Sequence, residues 1–171
     1  MSKQRIDVHR LIKPNTFHIW TDGSYRPDGN AACAYLIFSQ EEQRVVHKGC
    51  YASRGSTINQ MELKSIGLGL EYPGMENVII YSDSAYSISC LTIWRKNWIH
   101  RDWKTPLGEP VKNRELIESI GKQIDAIKNV KFVKCSAHSG DYFNAVVDHM
   151  ASSLTAAMVK DPKLKDGEHP C

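Results

Sequence analysis

The chain has 171 residues, of which 42% are hydrophobic and 24% are charged, and its formal net charge is +3. This composition is ordinary for a globular protein and excludes a membrane-spanning one, because no apolar stretch approaches the roughly 20 residues that a membrane helix needs. A net charge this small does not by itself indicate nucleic-acid binding. The length predicts one domain, large enough to bury a core.

The ends of the chain and its cysteines predict where the protein is found. The start, Met-Ser-Lys-Gln-Arg-Ile-Asp, has no apolar signal-peptide core, so we expect a cytoplasmic protein. The five cysteines are odd in number and lack metal-ligand spacing, which predicts free thiols in a reducing compartment. We interpret residues 1–15 as a basic arm, 16–159 as the folded domain and 160–171 as a flexible tail, and we expect a monomer.

Three short β-rich segments come first in the chain. They span residues 16–22, 31–39 and 44–52, and polar turns such as Asp28-Gly29 separate them. Connections this short join antiparallel neighbours, so the three segments predict two successive β-hairpins.

The hydrophobic pattern then changes to a helical period. Helices are predicted over residues 59–70, 83–93, 113–127 and 142–158, with two short apolar strands over residues 76–81 and 130–135. Strands that follow helical crossovers pair in parallel. The element order therefore predicts an α/β fold, with a five-stranded mixed sheet of three antiparallel and then two parallel strands, and helices on both faces.

Four acidic residues lie within or at the end of apolar runs, where a carboxylate is costly. They are Asp22, Glu62, Asp83 and Asp148. A carboxylate buried alone takes up a proton, and a group of them stays ionised only beside cations. Sites in open α/β sheets form beyond the carboxyl ends of the parallel strands, where Asp22 and Asp83 are predicted to emerge. The four acids therefore predict a divalent-metal site and phosphoryl chemistry.

Each acid also has a purely structural interpretation. Asp22 precedes a glycine and suits a turn, and Asp83 at a helix start suits an N-cap. Glu62 follows Asn59 by three residues, as in a capping box. Asp148 could be a first-turn acid that complements the helix dipole. The coincidence of all four at one end of one sheet favours the site.

These motifs resemble the type 1 ribonuclease H family over about Thr16 to Met158. The matching segments are Thr-Asp-Gly-Ser24, Thr-Ile-Asn-Gln-Met-Glu-Leu63, Tyr-Ser-Asp-Ser84 and a closing His-x-Gly-x-x-x-Asn-x-x-x-Asp from His138 to Asp148. The resemblance implies that Asp22, Glu62, Asp83 and Asp148 hold two Mg²⁺ ions. Oxygen ligands also suit Mn²⁺. The resemblance also implies endonucleolytic cutting of the RNA strand of RNA–DNA hybrids, which leaves 5′-phosphate and 3′-hydroxyl ends. It further implies that His138 assists proton transfer or product release.

A basic, tryptophan-rich segment over residues 94–104, the handle, predicts how the hybrid is held. Basic side chains between aromatic rings suit a phosphate track with stacking surfaces, although an amphipathic helix with core tryptophans is the alternative, and we expect at least one structural tryptophan. The resemblance implies that Thr57 and Asn113 hold a DNA phosphate and that Trp98 packs on DNA sugars. The full set of predicted hybrid-binding residues is Gly23, Ser24, Thr57, Asn59, Gln60, Trp94, Lys96, Trp98, Arg101, Trp103, Lys104, Thr105 and Asn113.

Two positions depart from the family pattern. Asp28 and Ile58 stand where the family usually has asparagines that reach the minor groove of the hybrid. We expect the affinity or orientation of the hybrid to differ as a result. Two further hypotheses stay open: a catalytically silent hybrid-binding domain, and a nuclease of the same fold that acts on DNA.

Overall fold

A computed structural model describes residues 13–136 and 140–171, and its centre is a six-stranded sheet. The order of the strands across the sheet is β5-β4-β1-β2-β3-β6. The strands are β1 (Thr16–Tyr25), β2 (Asn30–Ser39), β3 (Arg44–Arg54), β4 (Asn77–Ser82), β5 (Asn129–Lys134) and β6 (Gly167–His169).

The directions of the strands confirm the predicted mixed sheet. β1, β2 and β3 pair antiparallel, whereas β4 runs parallel to β1 and β5 runs parallel to β4. The prediction of five strands is wrong by one, because the last residues of the chain add β6 to the edge of β3. A strand of three residues, Gly-Glu-His, carries no β-branched or aromatic pattern by which the sequence could have predicted it.

Helices cover both faces of the sheet. They are α1 (Ile58–Leu70), α2 (Ala85–Ser89), a π-helical turn (Cys90–Trp94), α3 (Arg95–His100), α4 (Arg114–Ala126) and α5 (Tyr142–Lys160). Helices α1 and α4 pack against one face through a buried cluster that includes Ile19, Ile66 and Ile117. Helix α5 packs against the other face through Val147 and Ala151. Among the described residues, none of the helices has the length and apolar character needed to span a membrane.

The last ten residues are ordered against the sheet, in contrast to the predicted flexible tail. β6 pairs with residues 50–52 of β3, and the Arg54 guanidinium donates to the Leu164 carbonyl and to the Asp166 carboxylate. Cys171 forms a disulfide with Cys50, with their Cα atoms 5.8 Å apart, so the prediction of five free thiols holds only for the three other cysteines. Covering the edge of β3 removes unpaired backbone groups that could recruit another strand.

Candidate active site

Three of the four predicted acids meet at one end of the sheet. Asp22, Glu62 and Asp83 each offer a carboxylate oxygen, and these oxygens lie within 4.8 Å of one another. Asp22 and Glu62 are 8% and 6% exposed, and Asp83 is half-buried. The arrangement is a compact set of hard oxygen donors with little access to water.

The fold explains why these three carboxylates converge. The parallel pairing of β1 with β4 ends at Trp20 and Tyr81, and Asp22 and Asp83 follow two residues later on each chain segment. Asp83 follows the end of β4, and Asp22 lies on the part of β1 that extends beyond the parallel pairing, so both emerge at the carboxyl end of that pairing, where sites in such sheets form. Glu62 reaches the same place from the first turns of α1.

The backbone N–H of Gly23 connects the carboxylates of Asp22 and Glu62. This N–H lies 2.9 Å from Asp22 Oδ1 and 3.1 Å from Glu62 Oε1, so it donates to both carboxylates. A Cβ atom at position 23 would lie only 3.0 Å from the Glu62 backbone nitrogen and 3.1 Å from Glu62 Oε1. The glycine is thus required for the close approach of β1 to α1.

Capping does not account for Glu62 or Asp83. The N-cap of α1 is Thr57, whose side chain accepts from the Gln60 backbone N–H, while the Gln60 side chain accepts from the Thr57 N–H. The N-cap of α2 is Ser84, whose Oγ accepts from Ser87. Both helix starts are satisfied by other residues, so the two carboxylates remain available to a ligand.

The electrostatics of the cluster are unfavourable without a cation. Burial, together with the charges of Asp22 and Asp83, raises the pKa of Glu62 to about 8. Burial, together with repulsion from Asp83 and Asp148, raises the pKa of Asp22 to about 7. Glu62 Oε2 is buried and lacks a hydrogen-bond partner among the described residues. An orphaned acceptor within an all-oxygen donor set fits a hard divalent cation such as Mg²⁺.

The fourth acid, Asp148, lies near the cluster but outside it. It is exposed on α5, next to the buried Val147, and is outside the set of three whose oxygens converge. Its charge is nevertheless close enough to raise the pKa of Asp22. Asp148 also falls in the second turn of α5, whose N-cap is Asp141, so it is not a first-turn acid. His138 lies outside the described residues.

The handle divides into exposed and buried parts. Lys96, Arg101 and Lys104 are exposed, and Trp94 is 41% exposed. Trp103 is 7% exposed, which agrees with the expectation that at least one tryptophan is structural. Asp102 and Trp103 both have left-handed backbone conformations, with φ of 51° and 55°, which turn the chain after α3.

The tryptophans of the handle pack against one another, and Tyr86 links them to the predicted phosphate pocket. The rings of Trp94 and Trp98 lie 5.8 Å apart, and those of Trp98 and Trp103 lie 6.1 Å apart. Asn113 donates to Tyr86 Oη over 3.1 Å and accepts from Gln60 Nε2 over 3.2 Å, which fixes its amide close to the handle. Sequence reasoning missed Tyr86, because nothing in its sequence neighbourhood marks it as a partner of Asn113.

The other predicted hybrid-binding residues lie at the start of α1, after the handle and on β1. Thr57 is exposed and Asn59 is half-buried at the start of α1, and Thr105 is half-buried after the handle. Ser24 follows Gly23 on β1, and its hydroxyl lies 3.0 Å from that of Thr155 on α5.

The two departures from the family pattern have different local environments. Asp28 accepts from the Asn30 backbone N–H over 3.0 Å and lies 3.5 Å from the Arg26 guanidinium. The Asn30 bond is the main cause that lowers the pKa of Asp28. Ile58 begins α1 and is 40% exposed. Asp28 therefore has a role in its own turn, whereas the structure shows no packing that accounts for Ile58.

Comparisons with known proteins agree on one family. A family model described as RNase H matches residues 14–156. The chain is 32% identical to a ribonuclease H of Acidiphilium cryptum over 149 residues, 84% of this chain and 89% of that protein. It is 35% identical to a ribonuclease H of Caldicellulosiruptor saccharolyticus over 144 residues, 82% of this chain and 96% of that protein. Among solved structures, LC9-RNase H1, a type 1 RNase H, is similar in fold, with a TM-score of 0.70, 19% identity, and coverage of 85% of this chain and 74% of that one.

Proposed function

The chain belongs to the ribonuclease H family and is a nuclease, and we propose that it is an endonuclease that cuts the RNA strand of RNA–DNA hybrids and leaves 5′-phosphate and 3′-hydroxyl ends. The observation that carries the proposal is the buried cluster of Asp22, Glu62 and Asp83 with an orphaned acceptor, Glu62 Oε2. Buried acids without compensating cations are found where their cost is offset by function.

Asp22, Glu62, Asp83 and Asp148 would hold two divalent ions, Mg²⁺ or Mn²⁺. Bound ions of this kind supply Lewis-acid stabilisation of charge on the attacked phosphodiester and on the leaving oxygen. The Gly23 N–H orients one oxygen of Asp22 and one of Glu62, which leaves the other oxygens of both carboxylates for ligands. The burial of both side chains excludes water and strengthens each of these interactions.

Asp148 has a different part from the buried acids. Its carboxylate on α5 is exposed and so is accessible to a bound duplex. Asp148 would complete the set of carboxylates that hold the divalent ions. His138, ten residues earlier in the chain, is proposed to assist proton transfer or product release.

Hybrid recognition is proposed to use the handle and the pocket beside it. Exposed Lys96, Arg101 and Lys104 supply charge to the phosphate backbone, and Trp94 and Trp98 offer ring faces to the sugars. Asn113 and Thr57 are proposed to hold a phosphate of the uncut DNA strand. On the RNA strand the 2′-hydroxyl is the group that distinguishes RNA from DNA, and Glu62, Gly23 and Ser24 are the proposed readers.

One assay tests this function. Labelled RNA–DNA hybrid, double-stranded RNA and double-stranded DNA are incubated with the protein in Mg²⁺ or in EDTA. We expect cleavage of the RNA in the hybrid alone, lost on chelation and lost in Asp22→Asn. Glu41→Gln, the same change at an exposed acid on the β2–β3 turn, is the matched control and should cut normally.

The same assay separates the alternatives. An intact hybrid that the wild-type protein binds tightly would indicate a silent hybrid-binding domain. Cleavage of double-stranded DNA would indicate a nuclease of the same fold with another substrate. Full activity of Asp22→Asn would refute the assignment of the cluster as the catalytic centre.

A further inference from the structure

One carboxylate, that of Asp141, links the strand that carries Asp22 to the helix that carries Asp148. Its Oδ1 accepts from the backbone N–H groups of Phe143, over 2.9 Å, and Asn144, over 3.2 Å, and so caps α5. Its Oδ2 accepts from Trp20 Nε1 over 3.1 Å. Capping uses only one oxygen, so the bond to Trp20 is an additional connection between α5 and β1.

The Trp20 side of this connection is rigid. The indole is 7% exposed and stacks on Tyr81, with ring centroids 4.5 Å apart and planes 7° apart. Phe143 packs on it as well, at 4.7 Å. An indole has a single N–H donor, and a ring held on both sides can present that donor in one direction only. The start of α5 is therefore held at a defined position relative to β1.

Only a few residues of chain separate Trp20 from Asp22 and Asp141 from Asp148. Trp20 precedes Asp22 by two residues on β1, so both side chains lie on the face of the sheet that α5 covers. Asp141 precedes Asp148 by seven residues, close to two full helical turns, so the two lie on nearly the same side of α5. A bond at Trp20 thus constrains how close Asp148 comes to Asp22.

This constraint opposes the electrostatic repulsion between Asp22 and Asp148. Asp22 and Asp148 are both acidic, and like charges that lie near each other repel. Asp148 is also exposed on α5. Repulsion between the two acids favours movement of the first turns of α5 away from the sheet, and the bond from Trp20 to Asp141 resists it.

We propose that Trp20 and Asp141 are positioning residues that hold Asp148 beside Asp22 and so raise the affinity of the cluster for divalent cations. The inference rests on the proposed function, because it assigns Asp148 to the cation site. It extends that function to two residues that touch neither cation nor substrate. Partners of metal-binding side chains typically change metal affinity by about 10–100-fold when they are removed.

The test uses substitutions that remove the bond and little else. Trp20→Phe removes the indole N–H and keeps an aromatic ring on Tyr81. Asp141→Ser keeps a hydroxyl that can cap α5 and removes the second oxygen. Asp161→Ser is the matched control, since Asp161 caps the other end of the same helix and accepts from the Lys163 N–H over 3.0 Å. Mg²⁺ binding to the full chain is measured by calorimetry without nucleic acid, beside the melting temperature, kcat and KM.

We expect about tenfold weaker Mg²⁺ binding in Trp20→Phe and in Asp141→Ser, and unchanged binding in Asp161→Ser. The value of kcat should fall at low Mg²⁺ and recover at high Mg²⁺, with KM for the hybrid unchanged. The double variant should bind Mg²⁺ no more weakly than either single one, because both changes break one bond. In an Asp148→Asn background, Trp20→Phe should have no further effect on Mg²⁺ binding.

Several results would overturn the proposal. A lower melting temperature with wild-type Mg²⁺ affinity would mean that the bond serves stability alone. An equal loss of affinity from Trp20→Phe with and without Asp148 would mean that Asp148 does not transmit the effect, and a wild-type chain that binds no Mg²⁺ would refute the cation site. Failure of the proposed function would be distinguishable from failure of this inference. In that case the wild-type protein would leave the hybrid intact, while calorimetry would still compare the Mg²⁺ affinities of the variants.

Discussion

The carboxylate cluster and the handle both concentrate charge of one sign, but they lie in opposite environments. Asp22 and Glu62 are buried, burial raises the pKa of both carboxyls, and the charge of Asp22 also raises the pKa of Glu62. Lys96 and Arg101 are exposed and hydrated. Charges of the first kind destabilise the fold until a cation binds, whereas charges of the second kind cost little and are screened by salt. The cluster should therefore respond to metal, and the handle to ionic strength.

The largest expected effect comes from neutralising one acid of the cluster. Glu62→Gln should lower cleavage of the hybrid by at least about 10³-fold, because one cation ligand is lost. The same change should stabilise the metal-free protein by roughly 1–2 kcal/mol at pH 8, because it removes a buried charge that two other acids repel. Denaturant unfolding in EDTA and a cleavage assay in Mg²⁺ measure the two effects.

Opposite signs for activity and stability are the essential part of this prediction. A residue needed only for packing would lose both together. A metal-free Glu62→Gln protein that is less stable than wild type would mean that the carboxylate is compensated within the fold, and the contrast between the cluster and the handle would fail.

The next prediction compares a buried and an exposed tryptophan of the handle. Trp103→Ala should destabilise the protein by about 3 kcal/mol, because the ring is 7% exposed and leaves a cavity. Trp94→Ala should change stability by less than about 0.5 kcal/mol, since this ring is 41% exposed, and should weaken hybrid binding instead. Thermal unfolding and a binding titration distinguish them. Similar stabilities for the two variants would contradict the division.

The same contrast explains how much the sequence could predict. The hydrophobic periods predicted the first five strands and the main helices, because burial of an apolar face fixes local structure over many residues. In the sequence alone, Glu62 and Asp83 suited a role in capping α1 and α2. The structure shows that Thr57 and Ser84, which lie close by and are equally suited to capping, are the residues that cap these helices. The position of each acid was predictable, whereas the group that satisfies each helix end needed the structure.

Long-range contacts of single side chains could not be predicted in the same way. Cys50 and Cys171 are 121 residues apart, and an odd number of cysteines permits many pairings or none. The bond from Trp20 to Asp141 joins residues that are likewise 121 positions apart and depends on the packing of α5 across the sheet. Neither leaves a local pattern, since each is a consequence of the assembled fold.

A smaller effect is expected from the backbone contact that joins β1 to α1. Gly23→Ala should lower cleavage by about 30-fold, because the added Cβ lies 3.0 Å from the Glu62 backbone nitrogen and must displace Glu62 by a few tenths of an ångström. The loss should be accompanied by weaker Mg²⁺ binding. Ser24→Ala, the next residue along β1, contacts Thr155 instead and serves as the control for metal binding. Unchanged Mg²⁺ affinity in Gly23→Ala would mean that the site tolerates the displacement.

The smallest effect should come from the handle, and it should depend on salt. Replacing both Lys96 and Arg101 by alanine should weaken hybrid binding about tenfold in low salt, because two phosphate contacts are lost. The slope of log K against log salt should become shallower by up to about 1.8, and Mg²⁺ affinity should not change. The matched control pair is Lys128, just before β5, and Lys131, within β5; both are exposed. An unchanged slope in the handle variant would place the phosphate track elsewhere, and a loss of Mg²⁺ affinity would show that the handle and the cluster act as one electrostatic unit.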